Sequence, residues 1–400
     1  MPRCCIAFSE DILPAIEDII ASTKNDLSAG FMQFFTRLSI AIAVFLLLLG
    51  MGELASYIYL RLHLPPPPYT NMSLPPDQVQ ELQASAEHQY LPFVEFRRQP
   101  FQGKYISVDR QGVRTTLNSR CDDPKSLSVW MFGDSVLWGS GVSDADTIPS
   151  QLARLYAASG QNVCITNYGE QAWVSTQELV ELLLQLKYSI RPPGVVVFYD
   201  GTDDLFPPDP DAPKDIDLTY YRFREALQIW HDERNPGLRY LERSNTARAL
   251  NLLSKKIHHR LANTNKPALS SIEIEGAAKA SVENYQQNLQ TVDALARAYG
   301  FQAFYFWYPT SSAGGKPLTA EEQASVRAEQ KDRVLFQLKQ SGYALCRNIR
   351  RPRFLYLGDA LDDQRGRFYL DGSHLTSEGN RIMAGKIFQV LKSTRDGALP

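Results

Sequence analysis

The sequence predicts an α/β domain of three layers, with a five-stranded parallel sheet between helices, standing behind one membrane-spanning helix. From residue 127 onward short apolar runs alternate with helical stretches, which is the pattern of βαβ units. The 400 residues, 44% hydrophobic and 22% charged, are enough to enclose a large core. The span rests on residues 38–60 (LSIAIAVFLLLLGMGELASYIYL), a run that reaches the roughly 20 residues a bilayer requires and is bounded by Arg37 and Arg61.

Residues 1–37 form a tail whose SEDILPAIEDII stretch suits a short amphipathic helix. This tail is long for a signal-peptide n-region, and no small-residue cleavage site follows the apolar run, so an uncleaved anchor is expected. A long buried core helix is the alternative, because Glu53 lies near the end of the run. Lys24 and Arg37 precede the span and Arg61 follows it, a bias toward a cytoplasmic tail and an extracytoplasmic remainder. Residues 61–89, with Pro65 to Pro68 and then YTNMSLPP, read as a stiff polyproline-like spacer. Residues 90–126 (KYISVD, then QGVRTT) read as a small hairpin segment.

The main domain is expected over residues 127–400. SLSVWMF is its first strand. Thr147 can cap a helix that turns Leu152, Leu155 and Tyr156 to one face and stops near Gly160. NVCITNY is the second strand. Ser175 with Glu178 makes a capping box for the helix ELVELLLQL, which ends before Pro192. GVVVFYD, wholly apolar, suits a buried parallel strand. An insertion over 206–272 opens with FPPDPDAPKDID, continues into a basic helix (ARALNLLSKKIHHRL), and is expected to form a flap. A helix from about 273 to 299, the strand FQAFYFWY, the short strand RFLYL and the helix GNRIMAGKIFQVLK complete the domain.

A net charge of -2 gives no reason to expect nucleic acid as a partner. The five cysteines include no CxxC pair and no His-rich spacing, so neither metal nor cofactor is expected. Cys121 and Cys346 fit either a disulfide or two buried thiols, and sequence alone leaves this open.

The chemistry concentrates in two places. The first strand runs into Gly133-Asp134-Ser135, with Gly139 and Gly141 close behind, so a serine leaves the carboxyl end of a central strand where doubly wound sheets place their sites. Serine needs a base to take its proton and a carboxylate to orient that base. Of the six histidines, only His374 follows the last strand. It sits in Asp371-Gly372-Ser373-His374, where one loop can present both side chains. Each motif alone is weak, and together, in this chain order, they are specific.

On these motifs the chain resembles the SGNH (GDSL-like) hydrolases over about residues 127–393. FGDSVLWGSGV matches the block that carries the nucleophile, Ser135. NYGEQAW matches the block whose glycine, Gly169, gives an N–H to the oxyanion hole, and Asp371 and His374 match the DxxH landmark. The resemblance implies a sheet of flavodoxin-like order, a Ser-His-Asp mechanism of ester cleavage, and an oxyanion hole made by the N–H groups of Ser135 and Gly169 with a side-chain amide from the third block. That block, normally Gly-x-Asn-Asp, here reads Gly201-Thr202-Asp203-Asp204. An ionised carboxylate only accepts hydrogen bonds and repels a developing oxyanion, so Asp203 helps only if it is held protonated. Asp204 is expected to cap the following turn.

The resemblance implies an ester substrate, with an O-acylated cell-surface glycan or lipid as its class, while the apolar run at 38–60 makes the membrane a partner. Two rivals stay open: an O-acyltransferase that uses the same triad on a polysaccharide, and a non-catalytic binding module disabled by Asp203. An α/β-hydrolase elbow would need GxSxG, but position 137 is Leu. Trp138, Trp173 and Trp307 lie near strand ends and are candidates for stacking on sugar rings, with core packing the alternative, above all for Trp307. CRNIRRPR is read as a solvated loop before an acidic-glycan contact.

Overall fold

The computed structural model describes residues 12–63, 72–205, 244–263 and 269–395. They fall into two compact units, 12–63 with 244–263, and 72–205 with 269–395. Residues 64–71 of the expected spacer (61–89) and residues 206–243 of the insertion, His231 included, lie outside the described residues, while the rest of the spacer from Met72 on is no stiff extended linker: it holds a helix over 76–84, with Met72 and Leu82 buried.

The first unit opens with α1 (Ile12–His63), one continuous 52-residue helix where a short tail helix and a separate span were expected. Its only proline, Pro14, sits in the first turn, where a missing N–H breaks no helical bond. Thr36–His63 is long and apolar enough to cross a membrane. Ile40, Phe45, Leu47, Leu49 and Met51 are all exposed, so the apolar surface runs round the helix instead of forming one stripe.

The second unit begins with α2 (Pro76–Ala84), followed by two antiparallel pairs, β1 (His88–Leu91) with β2 (Glu95–Arg98) and β3 (Phe101–Gln102) with β4 (Ser107–Val108). The expected single hairpin is thus two, and the segment is part of the domain: Arg97, Arg98 and Arg114 are fully buried. From Arg114 the chain runs along the strand at 163–167. Arg114 bridges Asn167, the Ser119 hydroxyl bonds Ile165 on both sides, the Arg120 N–H donates to the Val163 carbonyl, and Cys121 is disulfide-bonded to Cys164. The Cys121–Cys346 alternative is therefore corrected. Cys346 is free and buried in the core.

The sheet then forms. β5 (Leu127–Gly133) leads into α3 (Ser135–Trp138) and α4 (Ile148–Ala158), then β6 (Val163–Asn167), α5 (Ser175–Tyr188) and β7 (Val195–Asp200). The helix α6 (Asn245–Asn263) belongs to the first unit. α7 (Ser271–Tyr299), β8 (Gln302–Trp307), α8 (Ala320–Glu329), α9 (Arg333–Cys346), β9 (Phe354–Tyr356) and α10 (Ser377–Arg395) complete the second. All five strands are parallel, in the order β6-β5-β7-β8-β9. Counted along the chain that is 2-1-3-4-5, the flavodoxin-like order. Two further helices, α8 and α9, stand between β8 and β9, where none was expected.

Alternation along the strands divides the core. Val129, Met131 and Val197 face α4 and α10 through Leu152, Tyr156, Met383 and Ile387. Trp130, Phe132, Val196 and Phe198 face α5, α7 and α9 through Leu182, Tyr285, Leu289, Leu338 and Tyr343. Thr147 caps α4, accepting the Ser150 N–H, as expected. The Ser175–Glu178 capping box does not form. α5 starts one residue earlier in phase, with the Gln177 side chain accepting the Val174 N–H, while Ser175 gives both its N–H and its hydroxyl to Asp204. Asp204 therefore ties α5 to the end of β7 instead of capping its own turn.

Within the first unit α6 is capped by a side chain from α1. The Glu53 carboxylate accepts the N–H of Asn245 at 2.8 Å and of Thr246 at 3.1 Å. A carboxylate at a helix N-terminus satisfies free amides and meets the positive end of the helix dipole, which accounts for an acid in so apolar a stretch. The side chains of Lys255, Lys256, His258, His259 and Arg260 lie outside the described residues.

Candidate active site

The carboxyl ends of the four longer strands converge on one spot. β5 ends at Gly133, and Asp134 accepts the Val136 N–H at 2.7 Å, which starts α3 and turns Ser135 upward. Ser135 lies 8% exposed at the surface of this turn. The loop before α10 folds over it. Asp371 accepts the backbone N–H groups of Ser373 and His374, each at 2.9 Å, so its short side chain shapes the loop. Its second oxygen is 2.8 Å from His374 Nδ1, and His374 Nε2 is 2.8 Å from Ser135 Oγ. The structure thus brings the three residues singled out in the sequence into one hydrogen-bonded line.

The charges agree with that line. Burial works against an ionised Asp371, but the imidazole and the bonds from His374 and Ser373 hold its carboxyl well below the usual range. Burial alone would lower the His374 pKa, yet the neighbouring Asp371 carboxylate outweighs it and leaves His374 above its ordinary value.

Gly169 follows β6, and a Cβ there would stand 2.7 Å from the Trp138 backbone nitrogen, so only glycine fits against α3. Its N–H is given to the Asn167 side chain at 3.0 Å, an intraloop partner that the sequence reading did not include. The turn after β7 carries Asp203. Thr202 Oγ1 lies 3.5 Å from Ser373 Oγ, so this turn touches the Asp371–His374 loop. Asp203 is pushed up to about 6 by burial, against the pull of the positive His374 and Lys339.

Beneath the site is a buried set of acids. The Asp200 side chain accepts the Tyr285 hydroxyl at 3.0 Å, and burial pushes Asp134, Glu178 and Asp200 well up. Burial also pushes Asp204 up to about 7 against its bonds from Ser175. Among the described residues no group of His, Cys, Asp or Glu is arranged to hold a metal ion.

Tyr308 was missed by the sequence reading. Its hydroxyl donates to Asp134 and accepts the Thr202 N–H at 2.9 Å, joining the turn after β5 to the turn after β7. Its position one residue past β8, at the carboxyl edge of the sheet, is the signal that would have found it. The tryptophans do not face a ligand: Trp138, Trp173 and Trp307 are fully buried. Trp138 is sandwiched between the guanidinium groups of Arg98 and Arg114, 3.7 and 4.3 Å from its ring centre, and Trp173 lies under Arg97 at 4.5 Å. Cation–π stacking in the interior replaces the expected sugar stacking. In the CRNIRRPR loop Arg347 pairs with Asp359 and Arg351 with Asp293, so both are held by the domain.

Fold and strand order define an SGNH-type three-layer α/β/α hydrolase domain. The chain belongs to the GDSL-like lipase/acylhydrolase family, whose model matches residues 129–387, and it is a hydrolase of ester bonds. Among solved structures, it is similar to a lipolytic G-D-S-L family protein from Veillonella parvula (15% identity over 67% of this chain and 99% of that one, TM-score 0.31). It is also similar to the lipase/acylhydrolase of Enterococcus faecalis (13%, 67% and 96%, 0.31) and to the psychrotrophic esterase EstA of a Pseudoalteromonas species (11%, 67% and 98%, 0.30). No curated protein matches the chain.

Proposed function

We propose that this protein is an anchored serine esterase that removes O-acyl groups from a cell-surface glycan or lipid. The observation that carries the reading is the Asp371–His374–Ser135 line, with both contacts at 2.8 Å. In this mechanism the Ser135 oxygen attacks the ester carbonyl as His374 Nε2 takes its proton. Asp371 holds Nδ1 and stabilises the imidazolium. His374 returns the proton to the departing alkoxide, and water, deprotonated by the same nitrogen, then cleaves the acyl-enzyme and frees Ser135. The oxyanion is met by the Ser135 N–H, by the Gly169 N–H once it turns from Asn167, and by Asp203 when protonated.

Residues 38–60, within α1, serve as the anchor, and the catalytic domain lies outside the cytoplasm. The Cys121–Cys164 bond supports that placement, because disulfides persist in oxidising compartments. The substrate class rests on the anchor and on family analogy. A fluorophosphonate probe should label Ser135 in the full-length protein, and a panel of short-chain esters, acetylated glycans and lipid esters should identify the substrate. Absence of labelling with intact fold would sink the mechanism.

A further inference from the structure

Asp371 and His374 stand at the tip of a small hairpin. The Leu370 N–H donates to the His374 carbonyl and the Thr376 N–H to the Phe368 carbonyl, each at 2.8 Å, and Tyr369 bridges Leu375 in antiparallel fashion. A lone hairpin is marginal by itself and needs support from the elements beside it. One side chain supplies much of that support. Glu322, in the first turn of α8, accepts the N–H of Phe368 at 2.8 Å and of Tyr369 at 3.0 Å on one carboxylate oxygen. Its other oxygen accepts the Thr319 N–H at 2.9 Å and the Lys316 ammonium at 2.7 Å. Lys316 reaches the same limb of the hairpin, donating to the Gly366 carbonyl at 2.7 Å and lying 5.5 Å from the centre of the Phe368 ring.

Both members of the pair are buried, Glu322 at 1% and Lys316 at 6% exposed. Burial disfavours a carboxylate, yet Lys316 and the N–H groups of Phe368, Thr319 and Tyr369 hold Glu322 below its ordinary range. A buried ion pair is a poor way to stabilise a fold, because apolar residues of the same volume serve as well or better. Nor does α8 pack as an apolar helix, since Glu322 is its one buried residue. What α8 brings to the domain is a carboxylate aimed at the base of the hairpin. Two helical turns further along the same face, Glu329 stands against Gly372 at the hairpin's tip, where a Cβ would overlap its carboxylate. We propose that Glu322 is a positioning residue for the Ser-His-Asp line: with Lys316 as its counter-ion, it fixes the base of the hairpin whose tip carries Asp371 and His374. The inference rests on the esterase reading above, and no step of ester cleavage uses Glu322 itself.

The test compares full-length variants in detergent by their kinetics on a short-chain p-nitrophenyl ester and by their unfolding. Glu322→Met together with Lys316→Met removes the acceptor and its counter-ion and strands no charge, so the domain should stay folded. The hairpin then lacks its brace, and kcat should fall by up to about 10²-fold, the cost of a displacement of about 1 Å at a catalytic group, with KM little changed. The acid limb of kcat/KM should move down toward about 6.5, the ordinary histidine value, because His374 sits high only while Asp371 is held against it. Asp203 and Lys339, the other charged groups that act on His374, are unaltered in these variants. Glu322→Gln should show a smaller loss in the same direction, since its amide must turn a donor toward either Lys316 or the two hairpin N–H groups. A purely structural role predicts a lower unfolding midpoint with kcat and acid limb unchanged. That outcome in the folded double variant overturns the inference, and if the double variant does not fold, the same outcome in Glu322→Gln overturns it. If wild type shows neither turnover nor fluorophosphonate labelling, the esterase reading fails first and takes this inference with it.

Discussion

The Tyr308 hydroxyl donates to the carboxyl of Asp134, the residue immediately before Ser135, and at the same oxygen accepts the Thr202 N–H. One phenol thereby sets the spacing between the turn carrying Ser135 and the turn carrying Asp203. Tyr308→Phe keeps the ring but leaves a part-buried amide and a buried carboxyl each short of a partner. An unsatisfied buried polar group costs about 1–3 kcal/mol, so denaturant unfolding should show a loss in that range, with turnover reduced as well. Unchanged stability and unchanged turnover would show that the bridge has no role.

Ser135→Ala and His374→Ala should each remove nearly all ester turnover, and the double variant should lose little more, because the two act as a unit. His374 must be neutral to accept the Ser135 proton, and it sits above its ordinary value because of Asp371. The acid limb of kcat/KM should therefore lie above the usual histidine range of about 6.5. In Asp371→Asn that limb should move to lower pH along with a lower plateau. A limb that stays put would separate Asp371 from the imidazole.

Asp203→Asn should raise esterase activity at neutral pH by at least about tenfold, since one oxyanion donor elsewhere is worth about 10²-fold to 10³-fold. The acid form of Asp203 can donate and the carboxylate cannot, so the advantage should shrink below about pH 6 and grow above it. Two pH profiles on one ester decide this. If they coincide throughout, Asp203 does not face the oxyanion.

Arg98 and Glu170 are both fully buried, with Arg98 Nε 3.4 Å from the Glu170 carboxylate and the Arg98 N–H donating to it at 2.9 Å. Glu170 directly follows Gly169. Arg98→Met should strand that carboxylate and cost about 3–5 kcal/mol in unfolding free energy. Adding Glu170→Gln should recover part of the loss. A small single-variant effect would mean that His88, 3.8 Å from Glu170, already suffices as its partner.

The parallel strands were legible because each is a short apolar run with a clear boundary, their order followed only from the family resemblance, and Ser135, Asp371 and His374 were legible because their motifs follow strands. Residues 72–116 were not. Arg97, Arg98 and Arg114 look like solvent-facing charges in a linear sequence, and their burial depends on tryptophans and acids far along the chain. α8 escaped notice because it shows little apolar periodicity: Glu322 is its one buried residue. Tyr308 was hidden for the opposite reason, since it ends an aromatic strand in which every residue reads as core.

Strand β6 lies at one border of the sheet, yet its outer backbone groups are already engaged by the chain from Arg114 to Cys121 and pinned there by the bond to Cys164. The opposite border, β9, is three residues long and is preceded by Arg350, Arg351 and Arg353. Unpaired strand borders recruit foreign strands, and proteins guard against this by covering them, shortening them or charging them. Here one border is covered and the other is short and cationic. The domain is in this way protected, on both sides of its sheet, from joining its neighbours edge to edge.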